Sequence, residues 1–325
     1  MNLAIIIPAL NEREILPELI EEITAAVEPL GLDWEILVID DGSTDGTFGL
    51  IADLAESNSR LGAIRLRRNF GKSVALSVGF DSTDADKVIT IDGDGQDDPA
   101  DIPRLLAELD AGSDLVSGWK RDRKDPITRR WASGVFNWFT RLFTGVDMHD
   151  MNCGFKAYRG ECARSIEVYG EMHRYMPVFA VQQGWTVSEV PVNHRPRRYG
   201  SSRFGLERYT RGGLDLMTVV FLGRYQYRPL HLFGGLGGLL SAAGVLIGVY
   251  LTILKISGES IGQRPLLFLG ILLIVVGVQL LTLGLLGQML VLARREIGDN
   301  ALEKASIEKV LEPGEAKPLQ TAGRT

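Results

Sequence analysis

The sequence predicts an α/β protein, with a mostly parallel sheet covered by helices on both faces, followed by a two-helix transmembrane hairpin. Three observations carry this. Short apolar runs alternate with helical patterns through the first two hundred residues. Two later runs, Leu232–Leu254 and Leu266–Ala293, hold no Asp, Glu, Lys or Arg over 23 and 28 residues. An arginine-rich stretch stands just before the first of them.

The expected strands are Leu3–Pro8, Glu35–Ile39, Ala63–Leu66, Lys87–Ile91 and Asp114–Ser117. Each is four to six residues long, and such strands separated by helices imply a parallel sheet with helices on both faces. Helical patterns fall between them near Glu12–Val27, Thr47–Ala55, Ser73–Phe80 and Ile102–Leu109. Such sheets bind ligands at the carboxyl ends of their strands. The residues after each strand are therefore the candidates for chemistry.

Each long apolar run exceeds the roughly 20 residues a helix needs to cross a bilayer core. The plain alternative is a buried soluble helix. The formal net charge is −6, yet Arg195 to Arg228 holds eight Arg against Glu207 and Asp215, leaving −12 elsewhere. Positive flanks stay cytoplasmic and attract anionic lipids. Arg294 and Arg295 close the second run on the same side, which predicts a cytoplasmic-membrane hairpin with both termini in the cytoplasm. The expected division is 1–205 catalytic, 206–229 juxtamembrane and interfacial, 230–295 membrane, and 296–325 a tail disordered beyond Pro313. The opening MNLAIIIPALNE lacks a basic region and a cleavage site, so it does not read as a signal peptide. Two cysteines, Cys153 and Cys162, suggest neither a disulfide framework nor a zinc site. Nucleic acid is not an expected partner. The apolar hairpin could pack against copies of itself.

Strand ends sort the remaining chemistry. The first ends in PALNE, where Asn11 or Glu12 could simply cap a helix. The second ends in IDDGSTDGT, whose Asp40 and Asp41 could accept bonds from a base or ribose, and whose Asp45 could cap a helix. The third leads to NFGKS, which lacks the first glycine of a P-loop. No G-x-G-x-x-G follows the first strand, and TIDGDGQDDP fails as an EF-hand. What remains is Asp92-Gly93-Asp94. Two carboxylates on a tight turn can hold one Mg²⁺ or Mn²⁺ that also meets substrate phosphate. The plain alternative is a solvated acidic turn. Asp97 and Asp98 suit the start of the following helix. Further on lie basic SGWKRDRKD, HDMNCGFKAYR with Asp150, Asn152 and Lys156, and HRPRRYGSSRFG with guanidinium groups suited to phosphate. His173 and His194 are given no proton-transfer role.

The order IIIPALNE, VIDDGSTDGT, NFGKSVAL, IDGDGQDDP, NCGFKAYR, RYGSSRFG and then two membrane helices resembles the family 2 glycosyltransferases of the GT-A fold. Within them it resembles membrane-anchored polyprenyl-phosphate enzymes of the bactoprenol glucosyltransferase type, related to dolichol-phosphate mannose synthases. The likeness runs from about Leu3 to Arg295. It implies that Pro8, Asn11 and Glu12 line the nucleotide pocket, with Asp40 and Asp41 near uracil and ribose. Lys72 would approach the nucleotide or its diphosphate. Asp92 and Asp94 match the family's metal motif, with Gln96 beside it. Asp94, Asp150 and Lys156 would be catalytic, and Arg195, Arg197 and Arg203 would bind phosphate. Arg203 departs from relatives that place Lys there. The implied reaction is inverting, metal-dependent transfer of a hexose, with UDP-glucose as the expected donor and undecaprenyl or another polyprenyl phosphate as acceptor. Alternatives are another sugar (GDP-mannose or a UDP-aminosugar), a polysaccharide synthase, or a non-catalytic nucleotide-sugar sensor.

Overall fold

The computed structural model describes residues 1–121, 145–166, 168, 170, 172–196, 229–258, 265–294 and 307–311. These form two compact units, one within 1–219 and 300–325, the other within 220–299.

The first unit is built on an eight-stranded sheet: β1 (Leu3–Ala9), β2 (Trp34–Asp40), β3 (Leu61–Leu66), β4 (Lys87–Thr90), β5 (Leu115–Trp119), β6 (Lys156–Arg159), β7 (Val187–Pro191) and β8 (Ile307–Leu311). Their spatial order is β7-β5-β6-β4-β1-β2-β3-β8. The central strands β4, β1, β2 and β3 run parallel, as expected from the intervening helices α1 (Leu16–Val27), α2 (Thr47–Ser57) and α3 (Lys72–Asp81). Helix α4 (Ile102–Asp110) follows β4.

Period-2 alternation divides the core. Leu3, Ile5 and Ile7 of β1 pack with Leu16, Leu19 and Ile23 of α1 and with Leu105 and Leu109 of α4. Ile6, between them, packs on the opposite face with Ala75, Leu76 and Val78 of α3. The two short helices α5 (Gly160–Ser165) and α6 (Met176–Gln182) belong to that second face.

Three strands depart from the expected pattern. Strand β6 inserts antiparallel between β4 and β5, and β7 adds parallel to β5. Strand β8 lies in what reads as tail, yet pairs antiparallel with the edge strand β3. The unpaired donors and acceptors of an open sheet edge favour such an addition whenever an extended segment is at hand.

The second unit is a helix pair, α7 (Pro229–Ile256) and α8 (Pro265–Arg294), both long and apolar enough to cross a membrane. Small residues let the backbones approach. A Cβ on Gly237 would stand 2.6 Å from the Gly277 carbonyl oxygen, and one on Gly244 would stand 2.6 Å from that of Gly270.

Candidate active site

The loops after β1, β2, β3 and β4 converge at one edge of the sheet and are tied to one another. Asn11 adopts φ 57°, its backbone N–H donates to Ser43 Oγ at 2.8 Å, and its Oδ1 accepts from the Thr44 N–H at 2.8 Å. It thus joins the first loop to the second and caps no helix, since α1 begins only at Leu16 and has no side-chain cap. The Glu12 carbonyl instead accepts from the Ile15 and Leu16 N–H groups. Pro8, one residue before the end of the same strand, lies beside the turn after β4, where a Cβ on Gly93 would come within 3.1 Å of the Pro8 carbonyl oxygen.

Asp40 and Asp41 hold loops. Asp40 is fully buried, and its carboxylate accepts from the Ser43 N–H at 2.9 Å. Asp41 accepts from the Phe70 N–H at 2.7 Å and the Gly71 N–H at 2.9 Å, which fixes the NFGKS loop. Burial pushes the Asp41 carboxyl pKa up despite these bonds. Gly42, at φ 74°, packs so closely that a Cβ would lie 2.5 Å from the Arg68 carbonyl carbon. Asp45 accepts from the Thr47 N–H at 3.0 Å one residue before the N-cap of α2, which is Gly46 and not Asp45 as expected.

The third loop delivers Lys72 to the fourth. Its ammonium donates to Asp92 Oδ1. Burial would raise the Asp92 carboxyl, but the Lys72 and Lys120 ammoniums outweigh it and hold the pKa at about 2. Asp94 turns back on its own loop, accepting from the Gln96 N–H at 3.2 Å. Gly154 lies directly under Asp92: a Cβ there would stand 2.5 Å from both carboxylate oxygens.

Asp97 corrects the expectation that it merely suits a helix start. It is 1% exposed and ion-paired to Lys120 at 2.6 Å, with His194 bridged to its backbone. Burial opposes both charges, yet each holds the other: the Asp97 pKa is lowered and that of Lys120 raised. Asp98 does start the helical segment, accepting from the Ala100 N–H at 3.1 Å.

Asp150 is buried, and its N–H donates to Glu189 Oε1 at 3.0 Å. Glu189, on β7, also accepts from the His149 N–H at 2.9 Å, so the strand absent from the sequence reading positions this turn. Lys156 is 2% exposed and donates to the Cys153 carbonyl; burial lowers its pKa. It lies within electrostatic reach of Lys72, Asp150 and Asp92.

Arg195 sits differently from the expectation of a phosphate contact. Its guanidinium bonds Glu22 at 2.7 Å and Asp98 at 2.7 Å, and its N–H donates to the Gln96 carbonyl at 2.8 Å. It is a strut between α1 and the loop after β4. Arg197, Arg203 and the 206–228 segment lie outside the described residues. His173, given no role from sequence, stands near Lys72 and Asp92 with Nδ1 3.1 Å from Ser73 Oγ. Burial, with Lys72 and Arg174 beside it, lowers its pKa to about 2.

Paired carboxylates on a tight turn, backed by a lysine and set at the carboxyl edge of an α/β sheet, suit an enzyme site for a divalent cation and a phosphate-bearing substrate. The chain belongs to glycosyl transferase family 2, whose family model matches residues 4–166. It is 36% identical over 318 residues to a dodecaprenyl-phosphate galacturonate synthase of Rhizobium johnstonii, covering 96% of this chain and 94% of that one. It is 33% identical over 290 residues to an undecaprenyl-phosphate 4-deoxy-4-formamido-L-arabinose transferase of Salmonella paratyphi A, covering 88% and 87%. Among solved structures, a glucosyl-3-phosphoglycerate synthase of Mycobacterium tuberculosis, crystallised with Mn²⁺, UDP and phosphoglyceric acid, shares the fold. The TM-score is 0.51 at 22% identity, over 68% of this chain and 78% of that one.

Proposed function

We propose that this protein transfers a sugar from a nucleotide donor to the phosphate of a polyprenyl lipid, with inversion and with a divalent cation. The observation that carries it is the Asp92-Gly93-Asp94 turn, set against Lys72 in a chain similar along 96% of its length to a polyprenyl-phosphate sugar transferase. Among the described residues no three His, Cys, Asp or Glu side chains cluster as a metal cage. Two carboxylates on one turn suit Mg²⁺ or Mn²⁺, which take one or two carboxylates and complete their shell with water and substrate phosphate. The fold neighbour crystallised with Mn²⁺ and UDP agrees with that donor set. Asp92 and Asp94 would hold the cation, with Gln96 beside them. When bound, it would neutralise charge developing on the departing diphosphate.

The chain's own residues supply the rest. Lys72 places an ammonium where the diphosphate charge grows. Lys156 holds the turn that carries Gly154 beneath Asp92. The acceptor phosphate needs little deprotonation, since the second pKa of a phosphate monoester is about 6. Asp150, fixed through Glu189, therefore positions the acceptor or sugar rather than serving as a strong base. In-line displacement converts an α-linked donor to a β-linked lipid product.

The sugar departs from the first expectation. The two relatives are named for galacturonate and for 4-deoxy-4-formamido-L-arabinose, which favours a sugar other than glucose. The helix pair suits a lipid acceptor, because each CH₂ drawn from the bilayer costs about 0.8 kcal/mol. Strand β8 follows α8 and pairs with β3. That supports a hairpin returning to its starting side, as the positive flanks do, and hence a cytoplasmic catalytic unit.

The test uses purified protein, Mg²⁺ or Mn²⁺, undecaprenyl phosphate and a panel of nucleotide sugars that includes UDP-galacturonate and UDP-glucose. A single lipid-linked sugar, read by mass, is expected. Long glycans would instead support a polysaccharide synthase, and donor binding without turnover would support a sensor.

A further inference from the structure

The Lys72 ammonium contacts Asp92, the Lys120 ammonium acts on it from a distance, and the two are held differently. Lys120 is tied to the buried Asp97 at 2.6 Å, with its side chain 10% exposed. Lys72 has Asp92 as its ion-pair partner, and the two side chains are 28% and 30% exposed. Lys72 is therefore the exchangeable counter-ion, on a long flexible stem that opens α3. It occupies Oδ1, one of the two oxygens a cation would use. An ammonium and a divalent cation in contact with one carboxylate repel each other strongly, because like charges a few ångströms apart near a protein surface interact by several kcal/mol. Gly154 closes the side of the carboxylate away from solvent, so any rotation of Asp92 leads toward solvent and out of its place beside Lys72.

We propose that Lys72 is the resident counter-ion of Asp92 and competes with the divalent cation for it. The carboxylate passes to the cation when a nucleoside diphosphate arrives to accept the ammonium. Metal and donor then bind synergistically, and each raises the other's affinity by the same factor. This rests on the assignment of Asp92 and Asp94 as the cation site. It adds to that assignment an exchange that prevents the free enzyme from holding its metal tightly.

The experiment titrates Mn²⁺ into full-length protein in detergent, following free Mn²⁺ by electron paramagnetic resonance, with and without UDP. In the wild type, UDP should tighten Mn²⁺ binding about tenfold or more, within the usual range of site coupling. Lys72→Met should bind Mn²⁺ about tenfold more tightly without nucleotide and gain less from UDP than the wild type does, the gain that remains coming from ligation of the ion by the diphosphate. Lys72→Arg, which keeps the charge, should retain weak binding without nucleotide. Equal Mn²⁺ affinity of wild type and Lys72→Met in the absence of UDP would overturn the competition, as would a wild type insensitive to UDP. Asp92→Asn separates the two levels: loss of Mn²⁺ binding upholds the cation site whatever Lys72 does, and retention overturns the site itself.

Discussion

Gly154→Ala isolates the metal-motif carboxylate with a single methyl group. Gly154 has no positive φ, so alanine suits the backbone. The clash is with Asp92: the new Cβ would meet Oδ1 and Oδ2 at 2.5 Å and Cγ at 2.6 Å. Ordinary contact requires roughly 1 Å more. The turn beneath cannot yield easily. Its carbonyl accepts from Thr90 Oγ1 at 2.8 Å, and the flanking Cys153 and Phe155 are fully buried. The carboxylate, 30% exposed, must therefore swing toward solvent. Stability should fall by no more than about 1 kcal/mol, the low end for overpacking. Transfer should fall about 100-fold, the usual consequence of misplacing a catalytic group by 1 Å. Initial rates with lipid-phosphate acceptor, Mn²⁺ affinity and a urea denaturation curve measure the three quantities. Wild-type rate and Mn²⁺ affinity in a folded Gly154→Ala protein would refute the reasoning.

Other perturbations probe different parts. Lys120→Met leaves Asp97 buried without its counter-ion and should destabilise the protein by about 3–5 kcal/mol in urea, with partial recovery in Lys120→Met/Asp97→Asn. His173 is held neutral down to about pH 2, whereas the unfolded side chain binds a proton below about pH 6.5. The unfolded state then binds more protons, so His173 should lower stability as pH falls below 6.5, by at most about 1.4 kcal/mol per unit. His173→Gln should flatten the denaturation midpoint between pH 6.5 and 5 to that extent, and an unchanged slope would contradict the burial. In the helix pair, Gly277→Leu should force α7 and α8 apart and lower resistance to SDS, followed by circular dichroism. Gly235→Leu, where a Cβ meets nothing within 4 Å, should not.

The five expected strands and four helices all form, with ends that coincide or shift by a few residues, because long apolar runs and helical periodicity are local signals. Strands β6 and β7 were not legible, since KAYR and VSEVP are short and take their places from neighbours far along the chain. The site was legible as residue types at strand ends. Burial and partners were not. Asp97 and Asp98 are adjacent and chemically identical, yet one is an interior ion pair and the other a cap. Lys120 read as one cation of a basic stretch, and Arg195 as a phosphate ligand until Glu22, 173 residues earlier, appeared against it. Gly154 gave no signal at all, because its role is the room it leaves.

The ties among the strand-end loops carry a consequence for engineering donor preference. Asn11 reaches the second loop, Asp41 the third, Lys72 the fourth, and Gly93 returns to Pro8. The four segments form a closed ring of mutual supports, so none has a shape of its own to donate. Grafting one of them from a relative with another sugar would import side chains without the partners that set their angles. Exchange of the four as a single cassette is the smallest transplant that keeps the supports they give one another.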